Sequence, residues 1–431
     1  MDDPAPARTN GLRSEIGLFS ATTIGLGAII GAGIFVVTGI AAGVAGPALF
    51  VSILIAGLIS LLSAFSYAEL SEYLPVEGGT YAFARELISP LAGFLSGWIF
   101  VFTNIFTGAV LALGFARYLG VIFPAVPEKT VAVILCILFV FLNYFGVKKS
   151  AVANDLLVIT KVFILLVFIL IGLSVTNLAN FTPLTPHGAP GILEGAALIF
   201  FAYTGFARVT VIAEEVRDPR RTIPRAVFLS LGMSIVIYLF VSLAAIGMAG
   251  AGALAGSGSP LTTAMQAAGN PSAILLVTAG GLVATASVLI TTILGVSRVV
   301  FAMARNRELP GACAHIDSQY QTPSVAIFIS GAAMIISVLL VNLAIAVAVS
   351  SFAYLLYYGI ANFAAIRLGP SVRRYPRIIS VLGLASCLAL LPFLNPISWA
   401  LGATAVISGI IVYHVMKRCA GRTAGTGSGC R

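Results

Sequence analysis

The sequence predicts an all-α integral membrane protein with twelve transmembrane helices, and three observations lead there. The first is composition: 59% of the 431 residues are hydrophobic and 9% charged, with a mean hydropathy of +1.06. A soluble domain carries about 25% charged residues, so no soluble fold can hide this much apolar surface. The second is run length: the apolar stretches are mostly long enough, as helices, to cross a hydrocarbon core of ~30 Å. They also lack the period-two alternation of outer-membrane strands. The third is the alternation of charge between connecting segments. One set holds Arg8 and Arg13; Arg85; Lys148 and Lys149; Arg217, Arg220, Arg221 and Arg225; Arg305 and Arg307; Arg367, Arg373, Arg374 and Arg377; and Lys417, Arg418, Arg422 and Arg431. The opposite set holds only Arg117 and Lys129. The positive-inside rule puts the first set, and both termini, in the cytoplasm, which requires an even number of spans. The net charge of +9 is therefore a topology signal, not a sign of nucleic-acid binding.

In order, the spans are read at 17–44, 47–72, 90–119, 130–147, 152–177, 192–214, 226–250, 272–305, 324–343, 346–366, 378–394 and 397–416. The first residues are polar and the first apolar stretch ends in no small-residue cleavage site, so no cleavable signal peptide is expected. Span 1 lies in "TTIGLGAIIGAGIFVVTGIAAGVAGP", residues 22–47. Each glycine inside a helix costs about 1 kcal/mol relative to alanine. Close helix packing accounts for Gly25 and Gly43. Gly31 and Gly33 together predict a break, tolerated at membrane depth only where freed backbone lines a cavity or is buried in protein. Before span 3, "EYLPVEGGTYAFARE" holds Pro75, Gly78 and Gly79, which suit a re-entrant or interfacial turn.

Span 5, "NDLLVITKVFILLVFILIGL", carries Lys161 ~15 Å deep by helical rise. A charge at the bilayer centre costs at least ~2.5–3.5 kcal/mol and marks a functional site by default; a structural lysine with a partner is the other reading. Span 6 is interrupted at "FFAYTGFARV", around Gly205. The first and sixth spans correspond if 1–5 and 6–10 are inverted repeats, and interruptions in matching places point to a transporter's central site. The loop "EEVRDPRRTIPR", with Glu215, is either a set of gate salt bridges or a solvated face. Span 8 offers Thr285, Ser287, Thr291 and Thr292; Ser287 and Thr291, four apart, share a face. Such hydroxyls also commonly bond their own backbone. The five cysteines and three histidines are scattered, so neither a metal site nor a disulfide framework is expected. Repeated filter carbonyls and charge rings of a channel are absent from the sequence. So are the HExxH, GxSxG and Walker motifs of enzymes.

"IGLGAIIGAGIFVVTG", "YAELSEYLPVEGGTYAFAREL", "FFAYTGFARVTVIAEEVRDPRRTIPRAV" and "VVFAMARNRELP" resemble the amino acid–polyamine–organocation family of amino acid permeases, over nearly the whole chain. The resemblance implies a five-plus-five inverted-repeat (LeuT-like) core with discontinuous helices 1 and 6, plus two peripheral helices. The corresponding segments are a cytoplasmic tail at 1–15, repeats at 16–177 and 191–368, peripheral helices at 377–416 and a second cytoplasmic tail at 417–431. It implies alternating-access transport of an amino acid across a cell (plasma or inner) membrane, with lipid around the chain.

The residues agree with that chemistry, since a zwitterion needs donors for its carboxylate and acceptors for its ammonium. Ile30, Gly31, Ala32, Gly33 and Ile34, at the positive N-terminus of the second half of span 1, are expected against the carboxylate. Carbonyls around Phe201, Ala202 and Thr204 are expected to receive the ammonium. Phe201 is either a gate over the substrate or a packed core ring. In sister families a sodium ion bridges spans 1, 5 and 8. The Lys161 ammonium is expected in its place, touching carbonyls of span 1 and the hydroxyls of Ser287 and Thr291. Burial disfavours the charged form, so this group can load and release a proton. The coupling ion expected is H+, not Na+, with no cofactor.

Cationic members of the family carry acids where this chain has Thr103 and Ala207, which argues for small or medium neutral amino acids. Arg208 is a gate or selectivity residue. It favours an acidic substrate, pairs with Glu69 on span 2, or faces a cytoplasmic vestibule. The expected function is proton-coupled symport of a neutral amino acid. The alternatives are an exchanger, a carrier of acidic or cationic amino acids, or a substrate-sensing receptor without net transport. No enzymatic activity, metal or nucleic-acid partner is expected, and monomer or homodimer stays open.

Overall fold

The computed structural model describes residues 16–74, 78–146, 151–211 and 216–425. Arg8, Arg13, Pro75, Lys148, Lys149, Glu215 and Arg431 lie outside them. Among the described residues the chain is all-helical, and its one extended pairing is a bridge between Ile16 and Val216. Eight helical stretches there are long and apolar enough to cross a bilayer, and two shorter apolar helices accompany them. The chain is a multi-pass membrane protein.

The first stretch is interrupted as expected. Helix α1 (Leu18–Ile29) ends at Ile30, whose ψ of 89° is not helical. The chain resumes through a π turn (Gly33–Val37) into α2 (Thr38–Ala45). Gly46, with φ of 65°, reverses the chain into α3 (Leu49–Tyr73), a conformation open to glycine at no steric cost. The turn expected before span 3 is present at Gly78 and Gly79, with φ of 111° and 53°, and leads into a short helix, α4 (Thr80–Leu87); Pro75 lies outside the described residues. Then come α5 (Pro90–Ile122), α6 (Glu128–Tyr144) and α7 (Ala151–Ser174).

The interruption of span 6 is milder than the sequence predicts. Helix α8 (Gly188–Tyr203) tightens into a 3-10 turn (Thr204–Ala207) and resumes as α9 (Arg208–Val211). Tyr203 and Thr204 keep near-helical dihedrals (φ −95°, ψ −12° and φ −63°, ψ −12°), so this segment narrows and does not unwind. Helix α10 (Pro219–Ala255) outruns its predicted bounds at both ends and kinks at Gly250. The remaining helices are α11 (Pro260–Ala267), α12 (Pro271–Arg305), α13 (Ser324–Leu340), α14 (Leu343–Ile366), α15 (Arg377–Leu390) and α16 (Pro396–Gly425).

Three long helices start on a side-chain cap. Ser89, Asn270 and Asn342 accept from the amides of Ala92, Ala273 and Ile345, and Pro90 and Pro271 occupy first-turn positions where no intrahelical amide is needed. Packing places α1 against α7 and α10, and α5 between α12 and α14. Leu156, Phe163 and Leu170 of α7 face outward, as lipid-facing side chains do.

Loop contacts sort themselves by side. The Arg217 amide bonds the Ile16 carbonyl, Arg85 pairs with Glu308 at 2.9 Å, and Arg374 with Glu72 at 3.1 Å. All six positions fall in the strongly basic set of segments or beside it. Arg117 pairs with Glu128 at 2.7 Å and Lys129 bonds the Leu339 carbonyl, both at the opposite ends of the helices.

The two interrupted segments cross in direct contact. A Cβ on Gly205 would lie 2.3 Å from the Ala28 carbonyl carbon, and one on Gly33 would lie 2.5 Å from the Ala202 Cα. Both obstacles are main chain and cannot swing aside. Gly205→Ala is therefore expected to cost about 1–3 kcal/mol through overpacking, seen as a lower Tm in detergent. Gly232→Ala, at a position with nothing within 4 Å, is expected to leave Tm unchanged or slightly raised. Equal Tm values for the two variants would contradict the close crossing.

Candidate functional site

The break at residues 30–32 leaves both kinds of peptide group without helical partners, and the two kinds meet different fates. Carbonyls are taken by side chains from other helices. Lys161 on α7 donates from Nζ to the Ile30 oxygen at 3.0 Å and the Gly27 oxygen at 3.2 Å. Tyr238 on α10 donates to the Ile29 oxygen at 2.8 Å, and Tyr118 on α5 to the Phe35 oxygen at 2.6 Å. The amides stay open: among the described residues those of Gly31, Ala32, Gly33 and Ile34 have no backbone acceptor. They are the four orphan donors that begin any helix, here at the start of the π turn and α2, where the helix dipole is positive.

Beside these amides lies a small cavity of about 30 Å³. Gly31, Ala32 and Gly33 line it from span 1, and Phe201, Thr204, Gly205 and Arg208 from span 6. Thr107 of α5, Val288 of α12 and Tyr354 of α14 close the remaining sides. The Phe201 and Tyr354 rings stand 6.0 Å apart at 61°, so Phe201 is both a buried ring and part of the cavity wall. At the 3-10 turn the carbonyls are not vacant. Phe201 accepts from the Thr204 amide and, at 2.9 Å, from the Thr204 hydroxyl. Ala202 accepts from Tyr238 at 3.4 Å, and Thr204 from the Tyr358 hydroxyl. With two donors on it, the Phe201 oxygen has both lone pairs engaged.

Several expected residues fall elsewhere. The side chains of Ile30, Ile34 and Ala202 are buried in the hydrophobic core, because the chain turns its glycines and its amides, not these side chains, toward the cavity. Thr103 is fully buried and off the cavity wall, and its hydroxyl has no partner among the described residues. Thr107, one turn further along the same face, takes the place expected for it.

Lys161 is 2% exposed and bonds only carbonyls. The expected hydroxyl partners on α12 are engaged otherwise: Ser287 donates to the Ala284 oxygen, and Thr291 to that of Val288 at 2.7 Å. Thr291 instead serves Arg208, whose guanidinium donates to it at 2.6 Å and to Thr292 at 2.9 Å.

Arg208 does not pair with Glu69. The Glu69 carboxylate is buried and accepts the amides of Arg374 at 2.7 Å and Tyr375 at 3.2 Å, which clamps the loop between α14 and α15 to α3. Among the described residues neither Lys161 nor Arg208 has a carboxylate within 4 Å. The tyrosines that close the carbonyls were not singled out from the sequence. The available signal was "SFAYLLYYGI", where Tyr354 and Tyr358 are four residues apart and each hydroxyl needs a partner in hydrocarbon.

The cavity, with open donors on one wall and an aromatic pair on another, has the character of a site for a small solute carrying an anionic group. The chain is 37% identical over 424 residues to an uncharacterised transporter of Mycobacterium tuberculosis, a match covering 97% of this chain and 94% of the relative. It is 32% identical over 340 residues to a branched-chain amino acid permease of Bacillus subtilis, covering 74% and 73%. It is 32% identical over 324 residues to a mitochondrial cationic amino acid transporter of Arabidopsis thaliana, covering 70% and 53%. A family model described as amino acid permease matches residues 16–416, and the chain belongs to that family, within the amino acid–polyamine–organocation superfamily.

Proposed function

We propose that this protein is a secondary active carrier that takes up amino acids by alternating access, with a proton as the coupling ion. Twelve spans, both termini in the cytoplasm, and a core of two inverted five-helix repeats at 16–177 and 191–368 complete the reading. The substrate is a zwitterion of small or medium size without a positively charged side chain. Its carboxylate takes the amides of Gly31, Ala32, Gly33 and Ile34. Its ammonium lies toward the span 6 carbonyls around Ala202 and Thr204, and Phe201 and Tyr354 cover it.

The observation that carries the coupling is the Lys161 ammonium bridging the Gly27 and Ile30 carbonyls across the break. With its proton, the ammonium holds the end of α1 in the geometry that aims the amides at the cavity. Without it, the group loses its charge, and its hold on two carbonyl dipoles falls, since charge-assisted hydrogen bonds are about twice as strong as neutral ones. The half-helix is then free to shift. Proton occupancy and the substrate-binding geometry are thus linked through one pair of hydrogen bonds. Tyr238 ties the same end of α1 to span 6 by bonding both the Ile29 and Ala202 carbonyls, at 2.8 and 3.4 Å.

Uptake of a labelled amino acid panel into proteoliposomes tests the reading. Stimulation by an inward proton gradient and indifference to sodium removal are expected. Strict sodium dependence, or counterflow insensitive to the gradient, would replace the proton mechanism with symport of another ion or with exchange. Lys161→Ala is expected to elute as a folded, monodisperse protein and to lose gradient stimulation while keeping counterflow. Unchanged coupling in that variant rules Lys161 out of the mechanism. Tyr238→Phe removes one hydroxyl bonded to two carbonyls. It is expected to lower stability by about 0.5–1.5 kcal/mol, read by thermal unfolding in detergent, and to reduce uptake several-fold. Wild-type uptake would show that the tie between the two segments is dispensable.

A further inference from the structure

We propose that Arg208 is the receptor for a second carboxylate, so that the best substrates are acidic amino acids. The inference rests on the amino acid carrier reading above and names its substrate class.

Arg208 begins α9, directly after the 3-10 turn of span 6, and its side chain lines the same cavity as Gly31 and Gly33. The guanidinium is held in a defined orientation. Thr291 and Thr292 donate their protons to the Val288 carbonyl at 2.7 and 2.8 Å, so their lone pairs face Arg208 and accept from Nη1 and Nη2. This arrangement uses two of the five N–H donors and supplies no negative charge. Every ion pair among the described residues lies elsewhere: Arg85–Glu308, Arg117–Glu128, Arg221–Asp218 and Arg374–Glu72. Asp155, an acid on the same helix as Lys161, is occupied by the hydroxyls of Ser20 and Thr23.

The cavity is therefore lined by a fixed, oriented guanidinium with donors to spare and by the segment that carries the open amides, while a second cation, Lys161, sits off its wall on the Gly27 and Ile30 carbonyls. Burying such a charge without a counterion is costly, and a ligand that brings the anion recovers that cost. A neutral amino acid has one carboxylate, which the amides of residues 31–34 take, and its net charge of zero leaves Arg208 unbalanced. A dicarboxylic amino acid places its second carboxylate on the guanidinium, whose planar fork matches the two oxygens. A lysine or arginine side chain brought to the same point would meet like charge, which makes Arg208 a rejecting element for basic substrates as well.

The test uses the full chain in proteoliposomes and matched solutes: glutamate against glutamine, aspartate against asparagine, and lysine as the basic control. At least one acid is expected to compete for uptake about tenfold better than its amide, the difference between a charged and a neutral hydrogen-bond partner. In Arg208→Gln the acid-to-amide ratio should fall to about one, and Arg208→Lys should restore part of it. Wild-type protein that favours the amides, or an Arg208→Gln protein that keeps the preference, overturns the assignment. If Arg208→Gln does not elute as a folded species, the wild-type ratio and the Arg208→Lys ratio decide. Uptake of neutral amino acids with no competition from either acid removes this inference and leaves the carrier reading standing. No uptake or competition by any amino acid removes both.

Discussion

A peptide group freed from its helix in hydrocarbon has no water to turn to, and the centre of this protein is organised around that constraint. An unsatisfied amide or carbonyl at membrane depth costs several kcal/mol, so a helix break survives only if other parts of the protein answer it. Here the answer is one-sided. The carbonyls of Gly27, Ile29, Ile30 and Phe35 are claimed by Lys161, Tyr238 and Tyr118, which come from three different helices. The amides of residues 31–34 find no backbone acceptor among the described residues. Closing the acceptors and leaving the donors open gives the break a net donor character.

The charges around the break follow the same bias. Lys161 and Arg208 both approach it, and the described acids are held at the loop ends of the helices or, like Asp155, by hydroxyls near the start of α1. The two cations use different local chemistry. The lysine is a point charge on the Gly27 and Ile30 carbonyls. The arginine is a fork propped by two threonine hydroxyls whose own protons are committed to the Val288 carbonyl. A compact ammonium and a planar fork are not interchangeable at these two places.

Rigidity for this arrangement comes from backbone contact between the interrupted segments. Gly205 against Ala28, and Gly33 against Ala202, bring two main chains within reach of one another and of Tyr238, which bonds both. That closeness also explains why span 6 narrows and does not open. With its glycine pressed on α1, the 3-10 turn keeps Thr204 bonded to Phe201, and Tyr358 takes the Thr204 carbonyl.

Composition and run length were enough to determine a helical membrane protein, because the cost of burying or exposing apolar surface is summed over the chain and needs no partners. The glycine pair in "GAIIGAG" marked the break in span 1, and the depth of Lys161 marked an ion at the site, since both are unfavourable locally wherever the helices pack. Tertiary structure alone decided which side chain answers which group. Ser287 and Thr291 share a face as their spacing says, but Thr291 meets Arg208 and Ser287 bonds its own helix, because the carbonyls of the break reach Lys161 first. Glu69 met main-chain amides of a distant loop, and Thr107, not Thr103, reached the cavity, since one helical turn of depth separates them. Periodicity along a helix sets the face a residue shares; the level and identity of its partner depend on how the helices are set against one another, which is a property of the packed chain.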